Sequence, residues 1–199
     1  MKGSIAQQIR QRIEQTGRGK LFLVRDFLDL STRGNIDVTL QRLTKEGMLQ
    51  RLHSGLYYYP RISTFLGQPV PPAPEDIAAA LARRVGAQVA PSRAQTANAL
   101  GLTTQVPAKN VFTTNGGKAR RVKVGNQSIE LRPVTPGHFQ DSEAAPIVQA
   151  LRFVGEGNVT PDMIARLKNE LTESQKAALD HEWPSAPGWM HSVLQELAQ

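Results

Sequence analysis

Three observations predict an α+β fold in two parts. Apolar residues recur at helical spacing through the first 45 residues, and two short alternating segments around Ser54-Gly55 follow at once. Four prolines then fall within Pro69-Val70-Pro71-Pro72-Ala73-Pro74, a run that can form neither a helix nor a central strand and favours a stiff connector. Beyond it, helix and strand patterns start afresh and give way to helical patterns alone over the last sixty residues. The predicted organisation is a first unit at 1–65 and a mixed α/β domain at 74–199, with a small antiparallel sheet and an acidic, helical C-terminal tail.

In the first unit, Ile5, Ile9 and Ile13 place one apolar stripe on a helix that Gly17 ends. Leu23, Phe27 and Leu30 predict a second, shorter helix. Ser31 or Thr32 offers an N-cap for a third, whose stripe is Ile36, Leu40 and Leu43 and whose C′ residue is Gly47. Met48–His53 and Leu56–Tyr59 flank the Ser54-Gly55 turn as a β-hairpin. Helix, short helix, turn, helix and hairpin within sixty residues is the order of a winged helix-turn-helix, in which the third helix enters the major groove.

With Ile36, Leu40 and Leu43 inward, the opposite face carries Asn35, Val38, Gln41, Arg42 and Lys45, with Thr32 and Arg33 at its N-terminal end. These types suit base reading. Arg takes guanine O6 and N7 together, Asn and Gln do the same with adenine, and Val meets a thymine methyl. Arg51, His53 and Ser54 sit at the hairpin tip, as a wing touching phosphate or minor groove requires. Winged helices also dock proteins, so a protein-interaction module without operator recognition stays open as the alternative.

In the second unit, Glu75-Asp76-Ile77 opens a helix with acidic residues where its dipole favours them. Ile77, Leu81, Ala82 and Val85 form its stripe and Gly86 its end. Ser92 caps a further helix through Leu100. Val111–Thr114, the Asn115-Gly116-Gly117 turn, Arg121–Val124 and Gln127–Val134 read as a short antiparallel meander. Arg121 and Lys123 alternate with Val122 and Val124, and Glu130 and Arg132 with Ile129 and Leu131, so one sheet face is core and the other largely basic. Arg120, Arg121, Lys123 and Arg132 make that second basic surface, for DNA or a protein partner; a solvated face is the alternative. After a break around Pro133–Gly137, Glu143–Val154, Thr160–Asn169, Thr172–His181 and Pro187–Leu197 predict four helices, with Thr160, Thr172 and Ser185 as caps. Trp183, Trp189 and Met190 are expected to close a core.

The net charge of +7 is unevenly spread: residues 1–64 hold 11 basic and 5 acidic groups, 65–136 hold 9 and 3, and 137–199 hold 4 and 9. Such a basic majority predicts a polyanionic partner, because neutralising phosphates releases condensed counterions. Sixteen of the 24 cations are Arg, which fits phosphate and base edges better than Lys does. With Cys 0, disulfides, Cys-ligated zinc, iron–sulfur clusters and thiol nucleophiles are excluded. The N-terminus lacks an apolar segment of signal-peptide length, and no stretch approaches the roughly 20 apolar residues of a membrane span. A cytoplasmic protein with no membrane partner is expected.

Catalysis finds little to work with. Asn115-Gly116-Gly117-Lys118 lacks the first Gly and the Ser or Thr of a P-loop. No Asp or Glu occurs between Ile77 and Ile129, so the paired carboxylates that hold divalent cations at a phosphate are missing there. His53, His138, His181 and His191 have no metal-ligand spacing, and no G-x-S-x-G elbow is present. No enzyme activity, cofactor or metal is expected.

The run STRGNIDVTLQRLTKEGMLQRLHSGLYYYP resembles the N-terminal winged helix of the AbiEi-type antitoxins of bacterial type IV toxin–antitoxin systems. The likeness lies in an S-x-R-G turn at Ser31–Gly34, an L-x-R-L-x-x-E-G helix end at Leu40–Gly47 and a G-x-Y-Y-Y-P strand at Gly55–Pro60. The run NALGLTTQVPAKNVFTT is similar to the start of that family's second half. The resemblance implies a cytoplasmic autorepressor that binds double-stranded DNA of its own promoter, with inverted repeats expected. It also implies a neighbouring nucleotidyltransferase-like toxin that the protein counters directly or indirectly, so the second basic surface becomes a candidate for DNA or toxin.

Overall fold

The structure is a computed structural model that describes residues 3–134, 142–182, 184 and 186–199; Gly137, His138, Trp183 and Ser185 lie outside the described residues. The chain is α+β, with eight α-helices and small antiparallel sheets among the described residues. It divides into two compact units. The first comprises Met1–Val89 and Thr114–Pro133, the second Ala90–Thr113 and Val134–Gln199.

The first unit opens with α1 (Ile5–Thr16), capped reciprocally by Ser4 and Gln7 and burying Ile9 and Ile13. Over the predicted second helix the structure instead forms β1 (Leu21–Leu23) and a single 3-10 turn, Val24–Phe27. The reason is local and distant at once. The Asp26 carboxylate accepts from the Leu23 amide at 2.8 Å, closing the turn, while Phe22 and Leu23 pair with a strand more than thirty residues later.

Next, α2 (Arg33–Lys45) buries Ile36, Leu40 and Leu43. It ends in a Schellman motif: Gly47, at φ +77°, and Met48 donate to the carbonyls of Thr44 and Leu43. The hairpin of β2 (Gln50–His53) and β3 (Leu56–Tyr58) follows as the sequence predicts, with a bulge between Arg51 and His53. β3 lies between β1 and β2, so all three of its residues are buried. The core under α2 is Ile9, Ile13, Phe22, Phe27, Leu49 and Tyr57 together with the buried face of α2.

A small hairpin of β4 (Arg61–Ile62) and β5 (Pro69–Val70) leaves the far end of β3, and the Tyr58 hydroxyl ties it down by donating to the Val70 carbonyl at 2.8 Å. The proline run falls inside this unit. Pro69 stands in a two-stranded edge, where its missing amide costs nothing, and Pro74 takes the first turn of α3 (Pro74–Arg83). Because α3 stops at Arg83, Val85 is left outside the predicted stripe and exposed. α3 packs on β1. Arg83 pairs with Asp26 at 3.1 Å, and Arg84 donates to the Ser54 carbonyl at 3.0 Å.

The chain then runs through β6 (Val89–Pro91), α4 (Arg93–Ala99) and β7 (Asn110–Thr114) before β8 (Arg120–Val124) and β9 (Gln127–Pro133) return to the first unit. There, β8 and β9 form an antiparallel hairpin, and α3 packs on β9 as well as on β1. In the second unit β7 pairs with β6, a strand that the sequence pattern does not single out. α4 starts at the Ser92–Gln95 capping box and packs on α5 (Ala145–Val154). The tail supplies the four predicted helices: α5, α6 (Pro161–Glu170), α7 (Glu173–Glu182) and α8 (His191–Ala198). Their core gathers Leu102, Leu151, Leu167, Leu179, Met190 and Leu194, with Trp189 packed against it.

Candidate nucleic-acid interface

The inward stripe of α2 turns Asn35, Val38, Gln41, Arg42 and Lys45 outward together, and all five are exposed. Val38 is the informative one. An aliphatic side chain 67% exposed in the middle of a helix covers no core, and it is the type that meets a thymine methyl. Asn35 donates from Nδ2 to Ser31 Oγ at 3.2 Å, which steadies its amide at the helix entrance. Thr32 and Arg33 are exposed at that entrance, with Arg33 Nε 3.8 Å from Asp37. Near the other end, Arg42 Nε donates to Glu46 Oε1 at 2.9 Å, and Arg10 of α1 bonds the second oxygen of the same carboxylate. The two guanidinium groups, Arg42 before Arg10, hold the Glu46 carboxyl below the usual carboxylate range.

On the β2–β3 hairpin, Arg51 and Ser54 are exposed while His53 is half-buried, its Nδ1 enclosed without a hydrogen-bond partner among the described residues. Arg84 braces the turn through the Ser54 carbonyl, so the tip is held from α3. Sequence reading gave no hint of that brace, which spans thirty residues. It could have found Asp37 and Glu46, since both lie four residues beyond an arginine on the same helix.

The β8–β9 register pairs Arg121 with Glu130 and Lys123 with Ser128, so Arg121, Lys123, Glu130 and Arg132 share one face. Arg120, opposite Leu131, alternates to the other face with Val122 and Val124 and does not join them. Glu130 sits between two arginines, 2.8 Å from Arg132 and 2.9 Å from Arg121, and Arg132 first, then Arg121, lowers its pKa. The face is less basic than its sequence, and among the described residues Lys123 is its cation without a carboxylate.

Beside α1 and the end of α2 lies an open cleft of about 390 Å³, lined by Arg10, Glu14, Arg18, Glu46 and Tyr59 among others. Its two arginines are balanced by two glutamates, and Arg18 lies over the Tyr59 ring at 4.7 Å while donating to the Pro60 carbonyl. Among the described residues, no three His, Cys, Asp or Glu are grouped to hold a metal ion, and no helix is long and apolar enough to cross a membrane.

This is an α+β protein that presents one helix face of amide, aliphatic and basic groups beside a braced hairpin. The chain belongs to the Family of unknown function (DUF6088), which matches residues 8–179. No curated protein and no solved structure matches it.

Proposed function

We propose that residues 1–65 form a winged helix that binds double-stranded DNA, and that the protein is an autorepressor of its own promoter and the antitoxin of a type IV system. The observation that carries the DNA reading is the outward face of α2, where Asn35, Val38, Gln41, Arg42 and Lys45 are all exposed, next to the hairpin bearing Arg51. The order of α1, the 3-10 turn, α2 and the β2–β3 hairpin, with β1 closing the sheet, supports the winged-helix reading. The antitoxin role, against a nucleotidyltransferase-like toxin, rests on the resemblance of residues 31–60 and 98–114. A mobility-shift titration of the promoter fragment against random duplex at physiological salt tests the first part. Equal affinity for both refutes the repressor. Co-expression with the neighbouring toxin gene, read as growth rescue, tests the second.

A protein-interaction module is the second reading, and one observation favours it. The β4–β5 hairpin carries Phe65, 93% exposed, and Leu66, 67% exposed, on a turn fixed by Ser63–Gln68 and Gly67–Ser63 backbone bonds. It leaves β3 at the end opposite the Ser54-Gly55 turn, and its Ile62 and Pro69 line the cleft that Arg10 and Glu46 also line. This reading expects Phe65→Ala to lose rescue while the wild-type chain shows no preference for promoter over random duplex; rescue that survives Phe65→Ala refutes it.

A further inference from the structure

Within that DNA-binding reading, on which this inference rests, we propose that Glu46 is a positioning residue for base recognition: it fixes Arg42 with both terminal amino groups open to read a guanine edge, and Arg10 fixes Glu46 in turn. The argument is in the atoms used. Arg42 is held through Nε alone, at 2.9 Å from Glu46 Oε1, and neither Nη has a protein partner among the described residues. Those two groups are the fork that meets O6 and N7 of guanine together. Arg10 Nη2 takes the other carboxylate oxygen, so Glu46 cannot turn to claim the fork.

Both ends of this relay are anchored. Arg10 follows Ile9, which is fully buried, and Glu46 is the C-cap of α2, immediately before the Schellman glycine. The arrangement on the same helix at Arg33 is different. There the Nε–Asp37 separation is 3.8 Å, too long for a hydrogen bond, and nothing holds Asp37 from the far side among the described residues. Arg42 is therefore the arginine of α2 whose direction is set before DNA arrives. A fork ordered in advance loses less freedom on binding than a free side chain does. A carboxylate this near the groove also repels phosphate, so Glu46 weakens binding to DNA in general while sharpening it for one base.

The two effects have opposite signs, and the test uses that. Full-length protein is titrated by fluorescence anisotropy against the promoter fragment, against the same fragment with each G·C pair of the footprint replaced in turn, and against random duplex. Arg42→Ala should become indifferent to one G·C position. Glu46→Ala should lose discrimination at that same position by about tenfold, while its affinity for random duplex stays level or rises. Glu46→Gln keeps an oxygen for Arg42 Nε and should retain more discrimination than Glu46→Ala, with thermal melting confirming that each variant folds. Arg10→Ala should fall between wild type and Glu46→Ala. A Glu46→Ala chain that gains affinity equally for every duplex and keeps its base preference overturns the proposal, because Glu46 is then a counter-charge only. Loss of preference at a position other than that of Arg42→Ala overturns it too. Wild-type protein without promoter preference removes the DNA reading itself, a distinct result that takes the inference with it.

Discussion

The double variant Lys45→Ala/Arg51→Ala should flatten the salt dependence of DNA binding by an amount set by where the carboxylates lie. Both side chains are exposed and neither has a carboxylate partner among the described residues, whereas Arg33 and Arg42 sit 3.8 Å and 2.9 Å from Asp37 and Glu46. An unpaired cation brings no counterion of its own to the complex, so each of the two should contribute about 0.9 to the slope of log affinity against log salt. Losing both lowers the slope by about 1.8. Over a fourfold rise in salt, wild-type binding then falls about 12-fold further than binding of the double variant. Arg33→Ala and Arg42→Ala, whose charges are already balanced within α2, should each lower the slope less. Anisotropy titrations on random duplex at four salt concentrations measure all of this without contribution from base reading. An unchanged slope in the double variant, or equal losses for all four cations, refutes the reasoning.

Phe27 is fully buried, stacked on Phe22 at 6.0 Å between centroids, and Phe27→Ala should lower stability by about 3–5 kcal/mol. Urea unfolding followed by circular dichroism checks it, and a loss under about 1 kcal/mol would mean that the core under α2 is wrongly drawn. Tyr58→Phe removes the donor to the Val70 carbonyl and should cost about 1 kcal/mol in the same assay, with β4–β5 amides exchanging faster. Asp29, Glu46 and Glu130 are held below their ordinary pKa, each chiefly by an arginine hydrogen bond: Arg12, Arg42 and Arg132 respectively. A carboxyl lowered in the folded state stabilises above its unfolded pKa, near 4, and that contribution disappears as pH falls through the lower folded value. The urea midpoint should therefore drop from pH 6 to pH 3; a rise would refute these pairings.

Periodicity made α1, α2 and the tail helices legible, since their buried faces repeat every three or four residues and need no distant partner to be recognised. It also gave the outward face of α2, by subtraction. Where pairing is distant, the same reading failed. Leu23, Phe27 and Leu30 have helical spacing, yet Leu21–Leu23 is claimed by Tyr57, Tyr58 and Leu56 as a strand, and three ladder pairs outweigh one stripe. Val89–Pro91 is too short to announce itself as a strand at all. The prolines are conspicuous in sequence for what they forbid, and what they do is different: Pro69 opens the edge strand β5, the Pro72 carbonyl accepts from Gln127, and Pro74 starts α3. Grouping Arg120 with its charged neighbours follows composition, whereas alternation from Arg121 already puts it on the face of Val122 and Val124, and the register agrees.

The first unit is built from two stretches of chain, and this gives its synthesis a timetable. Everything in the core under α2 lies between Ile9 and Tyr59, so that core can close as soon as those residues have left the ribosome. α3 cannot finish so early. Part of what it packs on is β9, which ends fifty residues after Arg83, a delay of about 2.5 to 10 s at ordinary elongation rates. α4 waits for α5 over a similar interval. During those seconds the apolar faces of two helices await their strands and helices, while the segment carrying the outward face of α2 has already reached its final packing.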